Sequence, residues 1–239
     1  MHQEEPPLGT WIRAAAMPYL VHAAGSCLAI GVVLWLFYYR DGLGSGGWLN
    51  WHVLLTVLGF GLVLPEALLV VRFAGFESSL AVRFHLGLQC ALVLFAVAGV
   101  GAGVWHREDL HLVSFHSWLG VGCCLLLVVQ FGLGLGWFVC GKCCCLCRGG
   151  SGRRGLASRK QVHRVLGGLV LVCSLLAADS GLQTMPTTVG GGTGEQRVIN
   201  ILGLLFTVTA MAALVALSLP VQERAERTPP STLDSPLLQ

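Results

Sequence analysis

Four histidines stand near the first residues of four consecutive apolar runs: His52 in "LNWHVLL", His85 in "VRFHLGL", His116 in "VSFHSWLG" and His163 in "KQVHRVLG". Imidazole is the commonest metal ligand among side chains and the one that most readily gains or loses a proton near neutrality. Inside a hydrophobic span it is costly, so an ionisable residue there marks a functional position whose partner must be named. One such histidine at a helix start fits a polar residue facing headgroups. Four in four successive runs ask for a shared explanation.

The elements that carry them supply it. Of 239 residues, 54% are hydrophobic and 11% charged, against about 25% charged in soluble domains. This is the composition of an integral membrane protein, with the lipid bilayer and not nucleic acid as its surroundings. Six apolar runs are long enough to cross a hydrocarbon core of about 30 Å: Met17–Tyr38, Leu49–Val71, Phe84–Trp105, Val113–Val139, Val162–Leu182 and Val198–Val221. Linkers such as "RDGLGSGG" and "PTTVGGGTGEQR" are short and rich in Gly, Pro and charge, too short for a domain of their own. The expected fold is an all-α membrane protein, one six-helix domain over residues 17–221, between an N-terminal tail (1–16) and a disordered C-terminal tail (222–239). The opening "MHQEEPPLGTWIR" is acidic and polar, unlike a cleavable signal peptide.

Charge placement orients the helices. The side that would hold both termini carries Arg13, Arg72, Arg83, Lys142, Arg148, Arg153, Arg154, Arg159, Lys160, Arg164, Arg224 and Arg227, against Arg40, Arg107 and Arg197 on the other. The positive-inside rule puts both termini in the cytosol. Consecutive spans alternate in direction, so His52 and His116 share the outer level, and His85 and His163 share the cytosolic level. Two facing imidazoles at one depth suit a metal with two axial nitrogen ligands, in a bilayer most naturally a haem. Zinc would need further ligands, and no Cys or carboxylate accompanies these positions. Glycines near the histidines suit a bulky planar ligand: Gly120 and Gly167 follow His116 and His163 by four, Gly87 is close to His85, and Gly59 follows His52 by seven. Glycines also serve ordinary helix packing in membranes.

"LNWH", "EALLVVRF", "LVSFHSWLG" and "GEQRVINILGLL" together resemble the cytochrome b561 family, from about Asn50 to Leu217. The resemblance implies a central bundle of helices 2–5 holding two haem b groups, with electrons crossing the membrane between them. His52 and His116 would then ligate the outer haem, and His85 and His163 the cytosolic one. It also implies cytosolic ascorbate as donor, with ferric iron or monodehydroascorbate as acceptor on the outer or lumenal side. The chain has Val53, Val71, Val82 and Val113 where the family usually has proline, tyrosine, lysine and tyrosine, and several of those residues contribute to ascorbate sites in the family.

At the cytosolic face, Arg72, Arg83, Arg159 and Lys160 could hold an ascorbate monoanion, since guanidinium grips planar anions in bidentate fashion; positive-inside anchoring is the plainer reading. At the outer face, "VWHREDLHLVSFH" brings His106, Glu108, Asp109 and His111 near His116, donors suited to a transient ferric or cupric acceptor. His106 is the candidate of choice there, although a polar loop of this kind is more often simply solvated. His22 has no evident partner and reads as structural. Glu66 with Pro65 reads as a kink and a hydrogen-bonded polar contact, with a proton-coupled role as the alternative.

Five of ten cysteines lie in "CGKCCCLCRGG" (Cys140, Cys143, Cys144, Cys145, Cys147), a juxtamembrane cluster suited to S-palmitoylation. Cys27, Cys90, Cys123, Cys124 and Cys173 read as packing residues. The tail "ERTPPSTLDSPLLQ" ends on Asp234, Leu237 and Leu238, a D-x-x-L-L pattern resembling a dileucine sorting signal for endosomes or lysosomes. The functional expectation is a transmembrane, ascorbate-dependent ferrireductase, with a homodimer among its expected assemblies. The alternatives are a non-catalytic scaffold that retains the fold and a metal-ion transporter with stepping histidines.

Overall fold

In a computed structural model, residues 8–44, 47–73, 79–106, 112–140, 153–189 and 192–218 are described. They form helices, with no strand among them. The helices are α1 (Leu8–Tyr39), α2 (Gly47–Phe73), α3 (Ser79–His106), α4 (Phe115–Gly134, continued by a π-helical turn Leu135–Cys140), α5 (Arg153–Val189) and α6 (Thr193–Ser218). Six are long and apolar enough to cross a membrane. Here the end where α1 begins and α6 finishes is the near end, and the opposite end is the far end.

The helices overrun the apolar runs of the sequence. The last helix starts at Thr193, not Val198, and places Glu195 buried in its first turn. Hydropathy marks only the part that lies in hydrocarbon, whereas a helix continues as long as its backbone bonds propagate. The start of α4 has a local cause: the Ser114 hydroxyl accepts the Ser117 N–H at 3.2 Å, the N-cap bond that satisfies an orphan donor of the first turn.

The six helices fall into three packed pairs: α1 with α6, α2 with α3, and α4 with α5. The second and third pairs hardly touch through the consecutive helices α3 and α4. The outer pair closes one flank, its core built from residues such as Leu28, Leu36, Leu202 and Phe206. The buried stripe Thr209, Ala210, Ala213 and Ala216 on α6 lets neighbouring backbones approach, as small residues do between membrane helices. Leu94, Val97, Leu125, Val128 and Leu204 are each more than 60% exposed. An apolar belt of that kind belongs to a protein whose solvent is lipid.

The middle of α2 is π-helical over Val57–Val63, where the sequence predicts a kink at Pro65. Pro65 has no N–H to give, and its ring would press on the carbonyl one turn back. The wider turn just ahead of it, with the Leu64 N–H bonded to the Gly59 carbonyl, relieves that clash. Such π-turns occur frequently at functional sites. This one lies between His52 and Glu66.

Candidate metal centres

The far-end centre forms from α2 and α4. His52 and His116 face each other with ring centroids 5.9 Å apart and planes at 88°. Each Nδ1 is tied to a backbone carbonyl of the neighbouring helix in its own pair. His52 bonds Gly99 of α3 at 2.8 Å, and His116 bonds Ala177 of α5 at 2.8 Å. The ring sits on the glycine one turn beyond that carbonyl: a Cβ at Gly103 would come 2.6 Å from His52 Nδ1, and one at Gly181 would come 2.8 Å from His116 Nδ1. Carbonyl at one position and glycine four later is a repeated cradle, Gly99–Gly103 and Ala177–Gly181.

The near-end centre forms from α3 and α5. His85 and His163 have centroids 6.1 Å apart and planes at 73°. His85 Nδ1 bonds the Ala67 carbonyl of α2 at 2.8 Å. His163 lies against Gly134 of α4, where a Cβ would come 3.0 Å from Cε1. The buried Gln130 side chain donates to the His163 carbonyl at 2.8 Å, which fixes α4 against α5 at this level. The pairing deduced from helix direction is thus the pairing in space, and each centre takes one histidine from the α2/α3 pair and one from the α4/α5 pair.

The donor set can be tested against candidate metals. In His52, His85 and His116, with Nδ1–H donated to a carbonyl, the free lone pair is on Nε2, the arrangement that orients a ligating imidazole. A metal–imidazole bond of about 2 Å on each side, plus the reach from each nitrogen to its ring centre, fills the separations found. Among the described residues no cluster of three or more His, Cys, Asp or Glu side chains could hold a metal ion. Zinc, which takes three or four protein ligands, finds no such set among the described residues. Two facing imidazoles with no third His, Cys, Asp or Glu ligand grouped with them among the described residues fit a haem.

The glycines offered in support divide. Gly87 and Gly120 face open space, as a planar ligand beside His85 and His116 requires. Gly167 packs on Gln130 and Leu68, and Gly59 on Phe95 and Leu92; both serve helix packing. Gly103, Gly134 and Gly181, which cradle the rings, lie on the neighbouring helix and were missed. For Gly103 and Gly181 the small-xxx-small spacing, Gly99–Gly103 and Ala177–Gly181, was the available signal.

Among the other candidate residues, His106 ends α3, exposed, and within electrostatic reach of His52. Glu108, Asp109 and His111 lie outside the described residues, as do Cys143, Cys144, Cys145 and Cys147 and the C-terminal tail. Arg72 Nε donates to the Ala216 carbonyl of α6 at 3.1 Å, and Arg164 lies in electrostatic range of it. Arg83 is exposed on α3, and Arg159 and Lys160 are half-buried early in α5. Cys27 and Cys90, read from the sequence as packing residues, are exposed, whereas Cys123 is buried with its thiol 3.7 Å from the Val170 carbonyl. His22 also departs from the expectation: it has a partner, Glu66, at 2.6 Å.

Comparison with known proteins adds the family. Residues 51–188 match the family model described as eukaryotic cytochrome b561. A transmembrane ascorbate ferrireductase 2 of Arabidopsis thaliana is 25% identical over 84% of this chain and 90% of its own length. A lysosomal membrane ascorbate-dependent ferrireductase of Danio rerio is 28% identical over 84% of this chain and 88% of its own. A plasma membrane ascorbate-dependent reductase of Rattus norvegicus is 33% identical over 48% of this chain and 43% of its own. The family match covers more than half of the sequence, including all four facing histidines, and this chain belongs to the eukaryotic cytochrome b561 family.

Proposed function

We propose that the chain carries electrons across a membrane one at a time, from ascorbate on the cytosolic side to ferric iron or monodehydroascorbate on the other. The observation that carries this reading is the pair of facing imidazoles at each of two depths, 5.9 and 6.1 Å between ring centres. His52 and His116 would hold one haem b and His85 and His163 a second. When bound, these groups supply the one-electron carriers. The protein's part is axial ligation, a low-dielectric setting and docking charge at each face.

The near end is the cytosolic one, because the basic residues concentrate there and positive residues stay on the cytosolic side. Arg72, Arg83, Arg159 and Lys160 form a cationic field that draws in the ascorbate monoanion. The Ala216 carbonyl holds Arg72 at the mouth of this face. At the far end His106, beside His52, is the acceptor's docking residue. The relatives' names support donor and acceptor class, since they describe ascorbate-dependent reductases and ferrireductases. The dileucine pattern of the tail and the lysosomal relative favour an endosomal or lysosomal membrane over the plasma membrane.

Optical spectra of the purified protein test the core of the reading. Wild-type protein should show a Soret band and a reduced α-band worth two haems, reducible by ascorbate. His116→Ala should lose about half of that absorbance and keep the ascorbate-reducible near-end centre. Absent haem bands, or two full haems in His116→Ala, would overturn the assignment.

A further inference from the structure

His22 and Glu66 are ionisable, lie within membrane-spanning segments and have no place in the ligand sets. His22 is on α1 and Glu66 on α2, and His22 Nδ1 meets Glu66 Oε1 at 2.6 Å. From the start of its span at Ala16, His22 is about 9 Å deep at 1.5 Å per residue. Glu66 lies at a similar depth from Phe73, and His85 at a similar depth from Ser79. The contact therefore sits at the level of the near-end centre. It is also connected to it: the residue after Glu66 is Ala67, whose carbonyl accepts the Nδ1–H of His85.

A carboxylate in a membrane helix is expensive and normally marks an ion or proton pathway. A permanent partner such as Arg would hold it charged at every pH, whereas histidine can change its charge. With neutral imidazole and ionised carboxylate the pair carries a net charge of −1, and 0 after one further proton. His22, with its side chain 53% exposed against 23% for Glu66, is the more outward-facing member, about 9 Å from the near end of its span. The other titratable or charged groups on the elements around the pair are Tyr19 and Cys27 on α1, Arg72 on α2, Arg83, His85 and Cys90 on α3, and Arg159, Lys160, His163 and Arg164 on α5. The facing part of α6, from Ile199 to Ser218, contains none. Among the described residues Glu66 is the carboxylate of the near-end half, Asp41, Asp179 and Glu195 all belonging to the far end.

We propose that the His22–Glu66 pair is the proton partner of electron entry, taking up one proton when an electron arrives at the His85–His163 centre. The inference rests on the two-haem reading above. The balance closes: ascorbate monoanion loses one electron and one proton and leaves the monodehydroascorbate radical anion. The electron lowers the charge of the near-end centre by one, and the pair's proton raises the local charge by one. Ascorbate's proton replaces the one taken up. When the electron moves on to the His52–His116 centre, the pair returns its proton to cytosolic water. In a low-dielectric interior an uncompensated charge is costly, so the pair eases electron entry without touching the donor.

Redox titration of the purified holoprotein at a series of pH values tests this. In the wild type the near-end centre's midpoint potential should fall with rising pH, toward the limit of 59 mV for each tenfold change in proton activity in a one-electron couple. His22→Gln and Glu66→Gln should each flatten that slope, while the far-end centre in the same molecules keeps its own. The exchanged variant, His22→Glu with Glu66→His, should restore the slope, which guards against a single variant that misfolds. An unaltered near-end slope in both Gln variants overturns the inference alone. A wild type with no haem bands overturns the proposed function and the inference with it.

Discussion

Each of the four facing histidines is held by what it touches, and at the far end that is a carbonyl and a glycine on the adjacent helix. The Nδ1 bond sets the tautomer, and the missing Cβ sets how close the ring can lie. Gly181→Ala tests the second condition. Its new Cβ would come 2.8 Å from His116 Nδ1 and 2.9 Å from Cε1, so ring or helix must move, at about 1–3 kcal/mol of overpacking strain. We expect the far-end centre to lose haem or shift its potential while the near-end bands stay unchanged, as read from difference spectra. The same logic makes Gly134→Ala a near-end counterpart, acting through His163.

Among the elements, α2 does the most: it carries His52, the π-helical turn, Glu66 and the carbonyl that holds His85. It packs on the outer pair at Gly61, where a Cβ would come 2.7 Å from Leu28 and 3.0 Å from Phe206. The π-turn therefore lies where α1 and α6 press on α2. Gly61→Ala should separate these helices and lower stability by about 1–3 kcal/mol, seen as a lower thermal midpoint of the purified protein. The separation should also weaken the His22–Glu66 contact, because its two members lie on α1 and α2.

The whole molecule has a second polar clasp, at the far end. Arg40 and Glu195 form an ion pair at 2.8 Å, with side chains 15% and 6% exposed, and the Trp35 indole N–H donates to the same carboxylate at 3.0 Å. Asn50 donates to the carbonyls of Arg40 and Gly42. These bonds join the end of α1, the start of α2 and the start of α6. Removing one partner of a buried ion pair strands the other, typically at 3–5 kcal/mol. Glu195→Ala should therefore destabilise the fold by an amount of that order in thermal unfolding, while folded molecules keep both haem bands. Its site is structural, whereas the His22–Glu66 contact at the other end lies beside the proposed near-end haem site.

The sequence by itself determined the number of spans, the two depths of the histidines and their pairing. Hydropathy and helix direction are properties of position along the chain, and they suffice for "LNWH" and "HSWLG" to meet. It did not determine that Gly103 and Gly181 receive the rings, that Gly167 is a packing residue, or that Cys27 and Cys90 face outward. Those depend on how far each helix is rotated and which neighbour it meets. The largest such decision is His22 with Glu66, 44 residues apart. Neither residue signals the other along the chain, and only the packing of α1 on α2 brings imidazole and carboxylate together.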